Sequence, residues 1–149
     1  MRAAVACDHA GLVLKRELLA LLGTRGIEVE DLGTDGPASV DYPDFAAAVA
    51  RKVAAGQVDF GLLICGTGIG MSITANKFHG VRAAVCTSEF EARATRQHND
   101  ANVLCLGERV VGGGLAASIT AAFIDTKFEG GRHERRLQKI ADAEAENRR

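Results

Sequence analysis

Residues 58–78 read VDFGLLICGTGIGMSITANKF, and this stretch combines a strand, a glycine-rich turn and a helix. The segment 58–65 is apolar almost throughout, which is typical of a strand buried on both faces of a parallel sheet. Three glycines then alternate with threonine and isoleucine, and the pattern of 72–78 indicates a helix. A buried strand that leads directly into a helix predicts an α/β fold.

The same alternation of strands and helices continues on both sides of this stretch. We predict strands over 3–7, 27–33, 58–65, 81–86 and 102–107, and helices over 12–25, 44–56, 72–78, 88–100, 115–128 and from about Arg132 onward. Parallel strands joined by right-handed helical crossovers all end at one edge of their sheet. The sequence therefore predicts one domain, residues 1–149, with a three-layer, doubly wound, Rossmann-like α/β fold and a five-stranded parallel sheet.

The overall composition is that of an ordinary globular protein. The 149 residues are 47% hydrophobic and 25% charged, with a formal net charge of −1. This near-neutral balance argues against nucleic acid as a partner. No apolar run approaches the roughly 20 residues of a membrane span, and the first residues lack the pattern of a signal peptide. We expect a cytoplasmic protein with no membrane partner.

Four cysteines, Cys7, Cys65, Cys86 and Cys105, lie in or at the ends of predicted strands. A chain of this length does not need disulfides, and the cysteine and histidine spacing matches no zinc motif, so we expect free thiols and no metal. Most strand cysteines are small buried hydrophobic residues. That interpretation suits three of the four, but Cys65 borders the glycine-rich turn.

The turn after Cys65 has the features of a site for negative charge. Gly66, Gly68 and Gly70 let the backbone approach a ligand, and a helix begins just after them, which offers free N–H groups. The spacing GxGxG is not the dinucleotide fingerprint GxGxxG. A tight turn without a ligand remains an alternative. A thiol at a helix N-terminus can be partly ionised, so Cys65 is a candidate base or nucleophile.

Polar residues occur at two other junctions between predicted elements. Asp8 and His9 follow the first strand, so we expect them at the same sheet edge as Cys65. His98 and Asn99 lie where the fourth helix gives way to the fifth strand. The histidine there is a candidate partner for the cysteine, but a favourable charge at a helix C-terminus also explains it.

Three arginines are candidate phosphate ligands. Arg132 and Arg136 are four residues apart at the start of the last helix and share one face. Positive charges there oppose the helix dipole unless an anion is bound, and forked guanidinium groups suit a phosphate. The alternative is a solvated charged face. Arg109 follows the fifth strand, and we expect it as a third positive group at the same sheet edge as Arg132 and Arg136.

The motifs, taken in order, resemble one enzyme family. The segments are ACDHAG (6–11), DYPDFA (41–46), ICGTGIGMSITANK (64–77), RQHNDANVL (96–104), GERVVG (107–112) and FEGGRH (128–133). Together they closely resemble the type B ribose-5-phosphate isomerases, over nearly the whole chain. A second branch of that family replaces the cysteine with a glutamate later in the loop. No carboxylate occurs here between Cys65 and Glu89, so the sequence resembles the cysteine branch.

The resemblance implies a function and a role for each candidate residue. It implies a homodimer with active sites shared between subunits, which interconverts ribose 5-phosphate and ribulose 5-phosphate through an enediolate without metal or cofactor. Cys65 would be the base and His98 the acid that opens the sugar ring. The other implied site residues are Thr67 in the catalytic loop, Gly66, Gly68, Ile69 and Gly70 around the enediolate, Asp8, His9 and Asn99 at the sugar, and Arg109, Arg132 and Arg136 at the phosphate.

Two alternatives to this function remain open at the level of sequence. An isomerase of allose 6-phosphate, galactose 6-phosphate or a tetrose phosphate would share the same anchoring residues. A non-catalytic phosphosugar sensor would explain the glycines and arginines, but it would leave Cys65 and His98 without a role.

Overall fold

The computed structural model of the protein describes residues 1–147, and strands and helices alternate along that range. The strands are β1 (Arg2–Cys7), β2 (Glu28–Asp31), β3 (Phe60–Cys65), β4 (Ala83–Val85) and β5 (Val103–Gly107). The helices are α1 (Leu12–Thr24), α2 (Tyr42–Ala54), α3 (Ile69–Ala75), α4 (Glu89–Asn99), α5 (Gly113–Asp125) and α6 (Arg132–Glu146).

The five strands form one sheet in the order β2-β1-β3-β5-β4, and every neighbouring pair is parallel. Successive residues of a strand enter different cores. Val5 and Ile64 pack towards α1, α4 and α5, whereas Ala6 and Leu63 pack towards α2 and α3. Helices therefore cover both faces, and the predicted three-layer fold with a five-stranded parallel sheet is confirmed.

Most elements differ from the predicted bounds by one to three residues, and α2, α3 and β4 are examples. Helix α2 begins at Tyr42 rather than at residue 44, because Pro43 is accommodated in the first helical turn. Helix α3 begins at Ile69 rather than at residue 72, because Gly68, with φ of 79°, turns the chain directly into the helix. Strand β4 is limited to Ala83–Val85 and, as an edge strand, pairs only with β5.

The parallel sheet has two different edges at the ends of its strands. The carboxyl edge is where β1, β3 and β5 end, and the amino edge is where they begin. Strand β3 has six residues, so the two edges are separated by roughly 17 Å at the usual rise per residue. No helix within residues 1–147 has the length and apolar character needed to cross a bilayer.

Candidate active site

The loops that follow β1 and β3 open a crevice at the carboxyl edge. These strands are neighbours in the sheet, but α1 packs on one face and α3 on the other. The strand order therefore reverses between β1 and β3. In open α/β sheets, ligands bind at the carboxyl ends of the two strands where the order reverses. Asp8 and Cys65 lie at this point, and the Asp8 N–H donates to the carbonyl of Ile64 at 3.2 Å. The predicted convergence of these two residues is confirmed.

Cys65 differs from the other cysteines in its contacts. Its side chain is 6% exposed at the carboxyl edge, and Sγ accepts a hydrogen bond from the Gly68 N–H at 3.1 Å. An N–H aimed at the sulfur stabilises negative charge there. All four cysteines are free, as predicted.

The other three thiols are protonated at neutral pH. Burial raises the pKa of Cys7 to about 11 and that of Cys86 to about 12. Burial also raises the pKa of Cys105 well above its ordinary value. Desolvation disfavours a thiolate, so these residues suit the structural role expected for them.

The loop beyond Cys65 presents unpaired backbone donors. Within residues 1–147, the N–H groups of Thr67 and Gly70 find no protein acceptor. The Thr67 hydroxyl accepts from the Ile69 N–H at 3.3 Å and so helps to shape the turn. Two free N–H groups beside a thiol form an arrangement that can stabilise an oxyanion.

Gly68 is required in this loop for two reasons, and its replacement is a test of the loop. Its φ of 79° is left-handed, and a Cβ there would meet the backbone of Leu106 at 3.0 Å. We expect Gly68→Ala to lower the free energy of unfolding by roughly 1–3 kcal/mol. Because the substitution also displaces the N–H that faces Cys65, catalytic activity should fall as well. Urea unfolding and steady-state kinetics measure the two effects.

Gly114→Ala is the matched control for this substitution. Gly114 lies in the first turn of α5, where an added Cβ would meet nothing within 4 Å. Alanine there is expected to leave activity unchanged and to raise stability by about 0.4–1 kcal/mol. Equal stability losses in the two variants would contradict the role given to the left-handed turn.

Two neighbouring loops add polar groups to the crevice. Nδ1 of His9 accepts a hydrogen bond from the Val40 N–H at 3.2 Å. The Arg109 N–H donates to the carbonyl of Gly66 at 3.0 Å. The Arg109 side chain lies over Gly66, since a Cβ built on Gly66 would stand 3.4 Å from its Nη1. Asp8, His9, Cys65, the glycine loop and Arg109 therefore form one cluster, which we call the thiol cluster.

The remaining candidate residues lie at the opposite edge of the sheet. Helix α4 returns from the carboxyl to the amino edge, and the carbonyl of Asn99 accepts from Nε of Arg82, just before β4. The rings of His98 and His133 stack with centroids 4.4 Å apart. The start of α6 is thus held against the end of α4. We call His98, Asn99, Arg132 and Arg136 the arginine cluster.

The separation of the two clusters corrects one expectation from the sequence. Arg109 was expected at the same sheet edge as Arg132 and Arg136, but within one chain they lie at opposite edges. The reason is topological: α6 packs against α4, and Glu144 near its end accepts from Gly80 N–H, close to the start of β4. The full length of the sheet therefore separates the arginine cluster of a chain from its own Cys65.

His133 packs beside the arginine cluster, and the sequence analysis did not single it out. It is 3% exposed, and neither ring nitrogen has a hydrogen-bond partner in the described part of the chain. Burial, the neighbouring His98 and the charges of Arg132 and Arg136 lower its pKa. The FEGGRH motif contained this residue, but its burial depends on how α6 packs.

His98, Glu129 and His133 are close enough to be considered as metal ligands, with one ligand atom from each within 4.8 Å of the others. Their geometry is poor for that purpose, because the two imidazole planes are stacked with an angle of 15°. Imidazole nitrogens donate within the ring plane, so parallel stacked rings do not converge on one ion. Two nearby arginines further disfavour a cation.

Tyr42 is a second residue that sequence analysis did not assign. A Cβ on Gly70 would stand 2.6 Å from its ring, so the ring packs directly on the glycine loop. The DYPDFA motif pointed to this segment, but only the packing of α2 against α3 shows what the side chain contacts.

The chain matches known proteins over nearly its whole length. The sequence model of the ribose/galactose isomerase family matches residues 3–140. Ribose-5-phosphate isomerase B of Escherichia coli is 52% identical, with 95% of each chain covered. A ribose-5-phosphate isomerase B structure from Clostridium thermocellum superposes with a TM-score of 0.97 at 52% identity, with 99% of each chain covered. The Mycoplasma genitalium enzyme, solved with bound ribulose 5-phosphate, gives a TM-score of 0.94 at 46% identity and 97% coverage of each chain.

Proposed function

The chain belongs to the ribose/galactose isomerase family and is an isomerase, and we propose that it interconverts ribose 5-phosphate and ribulose 5-phosphate with Cys65 as the base. The observation that carries this proposal is the thiol at the carboxyl edge beside two unpaired N–H groups of the glycine loop. Proton abstraction next to a carbonyl needs a base and a stabilised oxyanion together.

The proposed reaction moves one proton between two carbons. The thiolate of Cys65 takes the proton from C2 of the open-chain aldose. The electron pair of the C2–H bond forms a double bond between C1 and C2, and the π electrons of the aldehyde move to its oxygen. The negative charge then rests on the oxygen of the former aldehyde, where the N–H groups of the loop 66–70 stabilise it. The thiol returns its proton to C1, and transfer of the C2 hydroxyl proton to the C1 oxygen completes the ketose.

Ring opening precedes this step and is assigned to the arginine cluster. We propose that His98 donates a proton to the ring oxygen as the bond between that oxygen and C1 breaks. The C1 hydroxyl then releases its proton to solvent and becomes the aldehyde, while Asn99 contacts the sugar. Asp8 and His9 are proposed to contact the sugar from the thiol cluster. The buried carboxylate of Asp8 is oriented by the Ala10 N–H, which donates to it at 2.9 Å.

The two clusters can contribute to one site only if they come from two copies of the chain. They lie at opposite edges within one subunit, so we propose a homodimer in which the arginine cluster of one subunit reaches the thiol cluster of the other. The surface around the Cys65 loop supports this, because Ile69, Ile73 and Val110 each leave more than half of their area exposed. A partner subunit that covers them would bury apolar surface and close the crevice.

The phosphate is assigned to Arg109 of one subunit and to Arg132 and Arg136 of its partner. We expect Arg132→Ala to raise KM for ribose 5-phosphate by roughly ten- to a hundredfold, because a charge-assisted contact is lost. The fold should be unaffected, since Arg132 is exposed at the start of α6. Steady-state kinetics with phosphorylated substrate measure the change.

Arg135→Ala is the control for this variant. Arg135 is an exposed arginine on the same helix, and we assign it no contact with substrate. Its replacement is expected to leave KM within about twofold of the unmodified enzyme, since surface charges contribute little. An equal rise of KM in both variants would show that general surface charge, and not a phosphate site, is responsible.

A comparison of substrates tests the proposed specificity. The values of kcat/KM for ribose 5-phosphate, allose 6-phosphate, galactose 6-phosphate and erythrose 4-phosphate are measured under one set of conditions. The highest value is expected for ribose 5-phosphate. A higher value for a hexose or tetrose phosphate would replace the substrate while keeping the reaction, and turnover of none of them would favour a phosphosugar sensor.

We further propose that the enzyme works in the cytoplasm. The four free thiols support this location, because a reducing compartment keeps cysteines unpaired.

A further inference from the structure

Lys15 is a buried charged residue that the proposed reaction does not use. It lies on α1 three residues before Leu18, on the helix face that packs into the core, and it is 2% exposed. Lysine is rarely buried to this degree unless its charge is paired. The side chain must therefore have a structural or functional reason to occupy this position.

The ammonium group of Lys15 is surrounded by acceptors from the segment that follows β2. Nζ donates to both carboxylate oxygens of Asp31, at 2.8 and 3.0 Å, and to the carbonyl of Thr34 at 2.8 Å. It also donates to Asp35 at 3.3 Å. Burial alone would lower the pKa of Lys15, but the hydrogen bonds to Asp31 and Asp35 raise it above its usual value. The residue therefore stays charged and fixes residues 31–35 to α1.

The same segment continues into the active site. Residues 32–41 connect β2 to α2, and we call them the β2–α2 loop. At its far end, the Val40 N–H donates to Nδ1 of His9, and Tyr42 directly after it packs on Gly70. At its near end, Thr34 pairs with Cys7 of β1, with the Thr34 N–H donating at 2.8 Å. The β2–α2 loop thus connects the buried ammonium to His9 and, through Tyr42, to the glycine loop of the thiol cluster.

The contact from Val40 determines which nitrogen of His9 carries the proton. A neutral imidazole has one donor and one acceptor nitrogen, and an N–H aimed at Nδ1 requires Nδ1 to be the acceptor. The proton is then on Nε2. That nitrogen is available as a donor to a sugar or phosphate oxygen.

We propose that Lys15 is a positioning residue: its ammonium anchors the β2–α2 loop, so that Val40 holds His9 in the tautomer with the proton on Nε2. The role of His9 towards substrate rests on the proposed function. The tautomer itself does not, because it depends only on contacts within the free protein.

The experiment compares Lys15→Met with the unmodified enzyme by two independent readouts. Nitrogen-15 NMR of the substrate-free protein reports the His9 tautomer, and the His9 signals are identified by their loss in His9→Asn. We expect the Nε2-protonated form in the unmodified enzyme and a mixture of tautomers in Lys15→Met. In kinetics with ribose 5-phosphate, we expect KM to rise about tenfold while kcat changes less than threefold. The loss of one hydrogen bond to the ligand weakens binding by about this factor.

Lys52→Met is the matched control. Lys52 on α2 forms a partly exposed ion pair with Glu30 at 2.9 Å, away from the carboxyl edge. Its replacement removes an equal charge and should change neither the tautomer nor KM.

A second variant covers the case in which Lys15→Met does not fold. Asp31→Asn keeps the ammonium and its contacts with Thr34 and Asp35 but removes the charge of its closer carboxylate partner, and we expect a smaller shift in the same direction. An unchanged His9 tautomer in every folded variant would overturn the proposal. If the unmodified protein shows no isomerase activity, the proposed function fails, while the NMR comparison still decides the role of Lys15.

Discussion

Cys65→Ala is expected to lower kcat by roughly a hundred- to ten-thousandfold, the usual contribution of a positioned base. Binding of ribose 5-phosphate should be nearly unchanged, because the phosphate and sugar contacts are assigned to other residues. The fold should also be retained, because alanine is smaller than cysteine and fits the space of the Cys65 side chain at the end of β3. Steady-state kinetics measure kcat, and calorimetric titration measures the affinity for ribose 5-phosphate.

Cys105→Ala is the matched control for the base. Cys105 lies on the adjacent strand β5, packs into the same core cluster as Cys65 and is fully buried. Its pKa is held high by burial, so it has no part in proton transfer at neutral pH. Its replacement should leave kcat unchanged within about threefold, apart from any loss of stability. Near-normal turnover by Cys65→Ala would show that the base is another group.

Mixing two impaired variants is expected to restore part of the activity. One chain carries Cys65→Ala, and the other carries Arg132→Ala together with Arg136→Ala. In the proposed dimer, exchange of the subunits at equal amounts makes half of the dimers mixed, and each mixed dimer then has one intact site of two. Recovery of about a quarter of the unmodified activity at low substrate concentration is therefore expected for a symmetric dimer.

This recovery depends on the placement of the two clusters at opposite edges of the sheet. If Cys65 and the arginines of one chain formed the same site, both sites of every mixed dimer would carry a defect, and no activity would return. As a control, the Cys65→Ala chain is mixed with a chain that carries all three substitutions, in which no subunit supplies the thiol. That mixture should remain inactive. Activity in it would point to a contaminating isomerase.

The sequence predicted those parts of the site that depend on neighbouring residues in the chain. A buried strand that ends in Cys65, followed by alternating glycines, specifies a thiol beside a turn with free N–H groups, and the structure has that arrangement. Asp8 and His9 were also expected at this edge, because parallel strands end together. Local pattern and strand direction were sufficient for both predictions.

The position of the arginine cluster was not predictable in this way. The sequence shows that Arg132 and Arg136 share a helix face. The sheet edge at which they lie depends on the packing of α6 against α4, and no periodic pattern in the sequence indicates that packing. The same limit applies to Lys15 and Tyr42. A lysine within a helix is usually solvated, and only the contacts of its ammonium with residues 31–35 identify it as buried.

Solvent isotope incorporation measures the proton transfer itself. The enzyme and ribose 5-phosphate are incubated in deuterium oxide, and proton NMR follows the hydrogens at C2 of the aldose and C1 of the ketose. The unmodified enzyme should introduce deuterium at these carbons as isomerisation proceeds, and Cys65→Ala, with substrate still bound, should introduce essentially none. Deuterium incorporation by Cys65→Ala at the rate of the unmodified enzyme would contradict the assignment of the sulfur as the base.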